Sequence, residues 1–245
     1  MTWTPPTAHS LYGVNDATWP PVEAVRNGPF TLRRGGGGGQ RVSSTSLWQQ
    51  EFNDADLDAA EKAMAAVDQP QLFMIRDNDQ ALDKALAARG YYVKDPVTLY
   101  AGPSAKLAEH DPKGFTVIDV AEPMAVMAEI WEAGGIGTSR LNVMDRASGP
   151  KTCFLGRTDD QPAGVSFVAC DGNIAMMHAL EILPKLRRKG LALQMMGAMG
   201  AWAARNGADT FSLAALKQND AACGLYHKVG MVKIGQYHYR KKDVS

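Results

Sequence analysis

Apolar positions follow two different spacings along this chain, and each spacing predicts a different element. Between Asp54 and Val67 they recur every three or four residues, which predicts an amphipathic helix. Short runs rich in β-branched and aromatic residues predict strands instead. The predicted helices are 54–67, 80–89, 123–132, 187–206 and 220–229, and the predicted strands are 30–34, 41–47, 72–75, 91–100, 115–120, 152–157, 164–170, 174–183, 211–216 and 232–240. This order predicts a mixed α/β fold.

Three stretches lack either spacing. Residues 1–29 are rich in Pro and Trp and predict an extended lead-in. The glycines 35–39 separate two predicted strands, so they favour a hairpin turn or flexible loop. A phosphate-binding loop would need GxxxxGK[ST] or GxGxxG before a helix, and neither pattern is present. Residues 103–114 are the best linker candidate, which predicts domains at 1–104 and 114–245.

The two halves of the chain resemble each other in one respect. A strand-like run ending at Ile75 is followed fifteen residues later by Gly90, and a run ending at Ala215 is followed at the same interval by Gly230. Such a repeat predicts an internal duplication. The alternative is that two unrelated amphipathic strand–helix–strand units have the same spacing by coincidence.

Composition and charge exclude several classes of protein. Hydrophobic residues make up 45% and charged residues 21%, which is typical of a globular chain. Lys plus Arg and Asp plus Glu each total 26, so the net charge is zero and a globally basic nucleic-acid binder is excluded. No apolar run approaches the roughly 18 residues that span a bilayer, and no secretory signal is evident at the N-terminus. Three widely spaced cysteines and no paired histidines predict a cytoplasmic protein without a metal site.

Candidate chemistry is concentrated after residue 174. A strand-like run leads into a basic turn that opens a long helix, with Arg187, Gly190 and Ala192 at the junction. The first turn of a helix has backbone N–H groups without internal partners, and its dipole favours anions. The small residues would let a pyrophosphate approach the backbone. A basic cap on an exposed turn is the alternative interpretation.

Two motifs in this region resemble those of the GCN5-related N-acetyltransferase (GNAT) superfamily. Arg187-x-x-Gly190-x-Ala192 resembles its acetyl-CoA motif, [RQ]xxGx[GA]. Residues 219–231, NDAACGLYHKVGM, resemble its second motif, with Met231 where Phe is usual. The two motifs occur in the expected order and spacing, and the resemblance covers about residues 115–240.

The resemblance implies a fold and a cofactor site. It implies a twisted mixed sheet that splays between its fourth and fifth strands, with acetyl-CoA in the gap and residues 174–183 as strand four. The implied acetyl-CoA-binding residues are Leu180, Glu181, Ile182, Arg187, Arg188, Lys189, Gly190, Leu191, Ala192, Leu193 and Asn219. The first half has Leu86 where the second has Tyr226, so we interpret it as a degenerate GNAT-like unit.

The implied reaction is direct attack by a primary amine on the thioester. Tyr226 occupies the position of the family's tyrosine acid and is the expected proton donor to the thiolate. His178 is the expected base, because strand alternation puts it on one face with Met176 and Leu180, which the resemblance points at the thioester. Glu181 is the runner-up on the opposite face, and a water relay would need no protein base.

The acceptor side is less defined by the sequence. Trp131–Ser139, with three glycines, is the expected acceptor loop. The acceptor is expected to be a small molecule or a peptide, with no nucleic-acid or membrane partner, and the protein to be a monomer or homodimer. A longer acyl chain is not excluded. The alternative function is a catalytically silent acyl-CoA-binding regulatory module.

Overall fold

A computed structural model describes residues 3–112 and 116–243. Within the first range, the strands are β1 (Glu23–Asn27), β2 (Phe30–Arg34), β3 (Thr45–Leu47), β4 (Gln71–Arg76) and β5 (Tyr92–Pro103). The helices there are α1 (Ala8–Thr18), α2 (Gln40–Ser43), α3 (Asp54–Ala66), α4 (Gln80–Ala88) and α5 (Ser104–Ala108).

The second range continues the alternation. Its strands are β6 (Val117–Val120), β7 (Lys151–Thr158), β8 (Gln161–Asp171), β9 (Ile174–Ile182), β10 (Thr210–Leu216) and β11 (Val232–Lys242). Its helices are α6 (Ala125–Ala133), α7 (Thr138–Arg146), α8 (Leu191–Arg205) and α9 (Asp220–Lys228), and a 3-10 turn, Pro184–Leu186, precedes α8. The predicted mixed α/β class is confirmed.

All these strands form one mixed sheet, in the order β1-β2-β3-β4-β11-β5-β10-β9-β8-β7-β6. The parallel pair β9 and β10 is joined only from Ile174–Met177 to Thr210–Leu213. Both strands run on beyond this ladder without pairing, so the sheet opens between them. This is the splay that the resemblance implies between strands four and five of the second half.

The two halves exchange strands at the centre of the sheet. β11, from the end of the chain, lies between β4 and β5, and β5, from the first half, lies between β11 and β10. All three of these pairings are antiparallel. The segments 1–104 and 114–245 therefore share one sheet, and their independence as domains stays a prediction.

Helices cover both faces of the sheet and bury its apolar side chains. α8 lies on one face, where Met195, Met196 and Trp202 belong to a buried cluster with residues of β8, β9 and β10. α6 lies on the other face, where the fully buried Trp131 packs with Val165 and Phe167 of β8. The open edge between β9 and β10 is thus flanked by helices on both sides.

The expectation of an extended lead-in over 1–29 is wrong, because α1 and β1 form there. Thr7 caps α1 by accepting a hydrogen bond from the Ser10 backbone N–H. Leu11, Tyr12 and Val14 are buried on its inner face. Prolines flank this helix without interrupting it, which is where proline is tolerated.

The glycines 35–39 form a loop in the connection between the antiparallel strands β2 and β3, and Gly39 is the N-cap of α2. The predicted strand 41–47 is replaced by α2 followed by the shorter β3. Gly38 has no room for a side chain, since a Cβ there would lie 2.5 Å from Val143 Cγ2 of α7. The glycines thus allow the first half to approach α7 of the second half closely.

The predicted linker is partly structured. Its first residues form α5, which packs on α8: a Cβ on Gly200 would lie 2.5 Å from the Leu107 Cβ. Lys113, Gly114 and Phe115 lie outside the described residues, so the predicted strand 115–120 is seen only as β6. The helix predicted from residue 187 begins at Leu191 instead, because Gly190 takes a left-handed conformation at its N-cap.

Candidate functional site

A cleft of about 520 Å³ opens where β9 and β10 separate. β9, the turn before α8, and α9 form its walls. Of the residues implied to bind acetyl-CoA, those that line it are Leu180, Glu181, Ile182, Arg187, Arg188, Gly190, Leu191, Ala192, Leu193 and Asn219. Lys189 is not among the lining residues, because its ammonium is paired with Asp159.

The turn that enters α8 presents a row of backbone N–H groups. Arg188 and Gly190 both have positive φ, of 66° and 85°. Among the described residues, none accepts a hydrogen bond from the N–H groups of 188–192, whereas the Leu193 N–H donates to the Gly190 carbonyl. No side chain caps this helix. Successive free amides in such a turn form a concave anion site.

Three polar side chains of the cleft already have partners. Arg187 donates from Nε to the Ile182 carbonyl at 2.9 Å and from Nη2 to the Glu181 carboxylate at 2.8 Å. Arg187 thus braces the end of β9. Asn219 caps α9 by accepting from the Ala222 backbone N–H. Arg188 has no ion pair within the described part of the chain.

Tyr226 lies at the inner end of the cleft, on α9. Its side chain is 5% exposed and packs against Tyr100, with ring centroids 5.5 Å apart. Burial, and then the nearby Cys223 and Tyr100, raise the pKa of the Tyr226 phenol well above its ordinary value. The phenol therefore carries its proton at neutral pH, as an acid must. None of the described residues is hydrogen-bonded to its hydroxyl.

His178 is buried, and both nitrogens of its ring have hydrogen-bond partners. Arg41 Nη1 lies 2.9 Å from Nδ1, and Thr18 Oγ1 lies 2.8 Å from Nε2. Because a guanidinium only donates, Nδ1 is the acceptor and Nε2 carries the proton. Trp19 stacks on the ring at 4.9 Å. Burial and the Arg41 charge lower the pKa of His178 well below its ordinary value.

The prediction that Met176, His178 and Leu180 share one face of the strand is wrong for Leu180. Ala179 has a φ of 53°, and the pairing of β9 with β8 shifts register there, which marks a β-bulge. Before the bulge, Met176 packs with the cluster around α1, and His178 contacts the same helix. After it, Leu180 packs with the cluster around α8. Simple alternation fails because the bulge adds one residue to the strand.

A second cavity, of about 310 Å³, lies on the other side of β9 and includes His178 in its wall. The first half contributes Arg41 and Asp95, and the second contributes Ile136, Arg140 and residues of β11. Of the expected acceptor loop 131–139, only Ile136 lines this cavity. Trp131 is instead fully buried and donates from Nε1 to the Ala179 carbonyl at 2.8 Å, supporting the bulge.

Sequence reasoning missed Arg41 and Asp95 altogether. They line the cavity together with His178 from 137 and 83 positions away in the chain, so no local spacing connects them. The glycines 35–39 were the one available signal, since a run of glycines permits close approach of backbone to a neighbouring segment. Within residues 3–112 and 116–243 there is no cluster of three or more potential metal ligands. No helix in those ranges has the length and hydropathy to cross a bilayer.

Residues 121–231 match the family model described as acetyltransferase (GNAT) family. The uncharacterized N-acetyltransferase YobR of Bacillus subtilis (strain 168) is 27% identical over 236 residues, covering 92% of this chain and 95% of that protein. Residues 121–231 therefore form a GNAT-family domain, and the two matches together support an N-acetyltransferase.

Solved structures share the fold over nearly the whole chain. A GCN5-related N-acetyltransferase from Kribbella flavida superposes with a TM-score of 0.74 at 17% identity, covering 97% of this chain and 96% of its own. A tandem GNAT protein from the clavulanic acid biosynthesis pathway gives a TM-score of 0.62 at 14% identity, with coverages of 100% and 90%. The likeness thus includes the first half as well as the acetyltransferase domain.

Proposed function

We propose that this chain transfers the acetyl group of acetyl-CoA to a primary amine of a small molecule or peptide by direct attack. The observation that carries the proposal is the row of free amides at 188–192, at the mouth of a cleft that opens where two parallel strands part. A pyrophosphate needs several hydrogen-bond donors, and this turn offers successive free N–H groups.

The rest of the cleft fits the remainder of the cofactor. The β9 edge at 180–182 has no pairing with β10, so it is free to pair with the amides of the pantetheine arm. The apolar side chains of Leu180, Ile182 and Leu225 line the cleft beside it. Its volume of about 520 Å³ lies within the range of small-molecule sites.

Tyr226 supplies the proton that the reaction requires. As the amine nitrogen bonds to the carbonyl carbon, the carbon–sulfur bond breaks, and the departing thiolate needs a proton. The phenol of Tyr226 lines the cleft and keeps its proton at neutral pH, so it is the donor that we propose.

Proton removal from the amine is the step for which the geometry favours water over His178. Both ring nitrogens of His178 are engaged, and accepting a proton on Nδ1 would require Arg41 to leave. We therefore propose a water relay and a positioning role for His178. The kcat/KM profile between pH 6 and 9 tests this: the same rising limb is expected in wild type and His178→Gln. Loss of that limb in the variant would restore His178 as the base.

The first half is proposed to be a degenerate GNAT-like unit that shapes the acceptor side. Its α3 corresponds to α8 but begins with a capping box, in which Asn53 and Asp56 bind each other's backbone N–H groups. Acidic residues in this first turn would repel a pyrophosphate. Leu86 stands where Tyr226 stands in the second half, so there is no phenol to act as an acid.

Calorimetric binding of acetyl-CoA, combined with CoA release on a panel of amines, tests the function. Arg188→Gln is expected to weaken acetyl-CoA binding, because Arg188 lines the cleft without an ion-pair partner among the described residues. Lys189→Gln is the matched control, since Lys189 is paired with Asp159 and should leave binding unchanged. Tight binding without turnover on any amine would favour the silent acyl-CoA-binding module, and absence of binding would refute both functions.

A further inference from the structure

The cavity beside His178 contains a guanidinium without a counter-charge. Arg41 donates to the neutral His178 ring and lies beside the Tyr237 phenol. Among the described residues, no carboxylate lies within ion-pair distance of it. The charge of Asp16 acts on Arg41 from outside ion-pair distance, and the Asp16 carboxylate is itself paired with Arg33 at 2.6 Å. A partly buried charge without a counter-ion is unfavourable, so such a charge in a cavity points to an anionic ligand.

A second guanidinium shares the cavity. Arg140, near the start of α7, lines it and donates only to the Gly135 carbonyl, at 3.3 Å. It too has no carboxylate within ion-pair distance in the described part of the chain. Gly38 allows the approach, because a Cβ there would lie 2.5 Å from Val143 Cγ2 of the same helix. The glycine run thus brings the segment that carries Arg41 against the helix that carries Arg140.

The remaining charge of the cavity does not neutralise these two. Asp95 is the acidic residue among the described lining residues, and its carboxylate accepts from the Gln40 side chain. Two guanidiniums and one carboxylate leave an excess of one positive charge. Guanidiniums bind carboxylate and phosphate through paired hydrogen bonds, which gives geometric selectivity as well as affinity.

We propose that the acceptor is an amine that also carries a carboxylate or phosphate group, which Arg41 and Arg140 bind. The proposal rests on the proposed function and specifies its substrate class. His178 is a positioning residue here: fixed by Thr18 and stacked on Trp19, it holds Arg41 in the cavity. The near-zero net charge of the whole chain conceals this local positive site.

Matched amines test the substrate class. CoA release is measured with phosphoethanolamine against ethanolamine, and with L-amino acids against their methyl esters, which separates phosphate from carboxylate. The anionic member of a pair is expected to be preferred. Arg41→Gln should raise its KM about tenfold to a hundredfold with acetyl-CoA affinity unchanged. Arg205→Gln removes an exposed charge outside the cavity and should change neither value. Equal turnover of both members would overturn the proposal and leave the proposed function intact.

A test without turnover uses thermal unfolding in the presence of saturating CoA. Inorganic phosphate or acetate should raise the Tm of wild type and of Arg205→Gln more than that of the Arg41→Gln/Arg140→Gln double variant. Equal shifts in wild type and double variant would overturn the proposal. Should acetyl-CoA fail to bind the wild type, the proposed function would fail, and the same comparison of anion-dependent shifts would still decide the cavity.

His178 needs a readout that separates positioning from folding. His178→Ala removes the acceptor beneath Arg41, so the KM for the anionic amine should rise while kcat is retained. His178→Gln keeps an amide oxygen as acceptor and should restore part of the affinity. A fall in kcat with KM unchanged would contradict the positioning role.

Discussion

Removal of the Tyr226 hydroxyl separates chemistry from folding. The ring is buried among apolar side chains near α8, and no described residue is hydrogen-bonded to its oxygen. Tyr226→Phe therefore deletes one atom without leaving a buried partner unsatisfied. The free energy of unfolding, measured in urea, should change by no more than about 0.5 kcal/mol.

The same substitution should remove most of the turnover. General acid catalysis contributes about 10²–10⁴-fold, which corresponds to about 3–5 kcal/mol of barrier. The fall should appear in kcat, while calorimetric binding of acetyl-CoA stays unchanged. Because burial raises the pKa of Tyr226, the wild-type rate should not decline through loss of this proton below about pH 10.

Tyr100→Phe is the matched control for this measurement. Tyr100 is the neighbouring buried phenol, with its ring 5.5 Å away, but it does not line the cleft, and its hydroxyl interacts with Cys223. Its variant should keep a near-normal kcat. A Tyr226→Phe enzyme that turns over like wild type, or an equal loss in both variants, would refute the assignment of the acid.

Three other perturbations have expected outcomes. Gly190→Ala places a side chain at a φ of 85°, so it should lower the free energy of unfolding in urea by about 1–2 kcal/mol and weaken acetyl-CoA binding. Gly13→Ala is the control: it lies inside α1 with open space around it and should raise the free energy of unfolding by about 0.5–1 kcal/mol. In Gly38→Ala the added methyl group meets Val143, so the free energy of unfolding should fall by about 1–3 kcal/mol and the KM for the acceptor should rise. Urea unfolding and steady-state kinetics check these effects, and unchanged values would contradict close packing of the glycines against α7. Because His178 is buried and neutral but binds a proton when unfolded, stability should fall below pH 6.5 by up to about 1.4 kcal/mol per pH unit, and His178→Gln should lose that part of the dependence.

Local patterns in the sequence predicted most helices and strands of the second half. The cleft between β9 and β10 was also predictable, because a strand, a glycine turn and a helix that are contiguous in the chain build most of it. The exact start of α8 was not, since it depends on the left-handed conformations of Arg188 and Gly190. Helix periodicity carries no information on such a turn.

The cavity beside His178 depends on contacts that the sequence does not encode locally. Arg41 meets His178 only because the glycine run packs against α7, and β11 reaches the cavity only because it inserts between β4 and β5. The bulge at Ala179 changes which residues share a face, and a single added residue leaves no mark on strand periodicity. The helix α1 was missed because the prolines on both sides of it dominated the composition of residues 1–29.

The most direct test of the central claim is a crystal structure of this chain with acetyl-CoA. The account predicts the pyrophosphate oxygens about 3 Å from the backbone nitrogens of 188–192, and the pantetheine arm beside Leu180 between β9 and β10. Density for the nucleotide elsewhere, or a turn whose amides are closed by contacts within the protein, would contradict it.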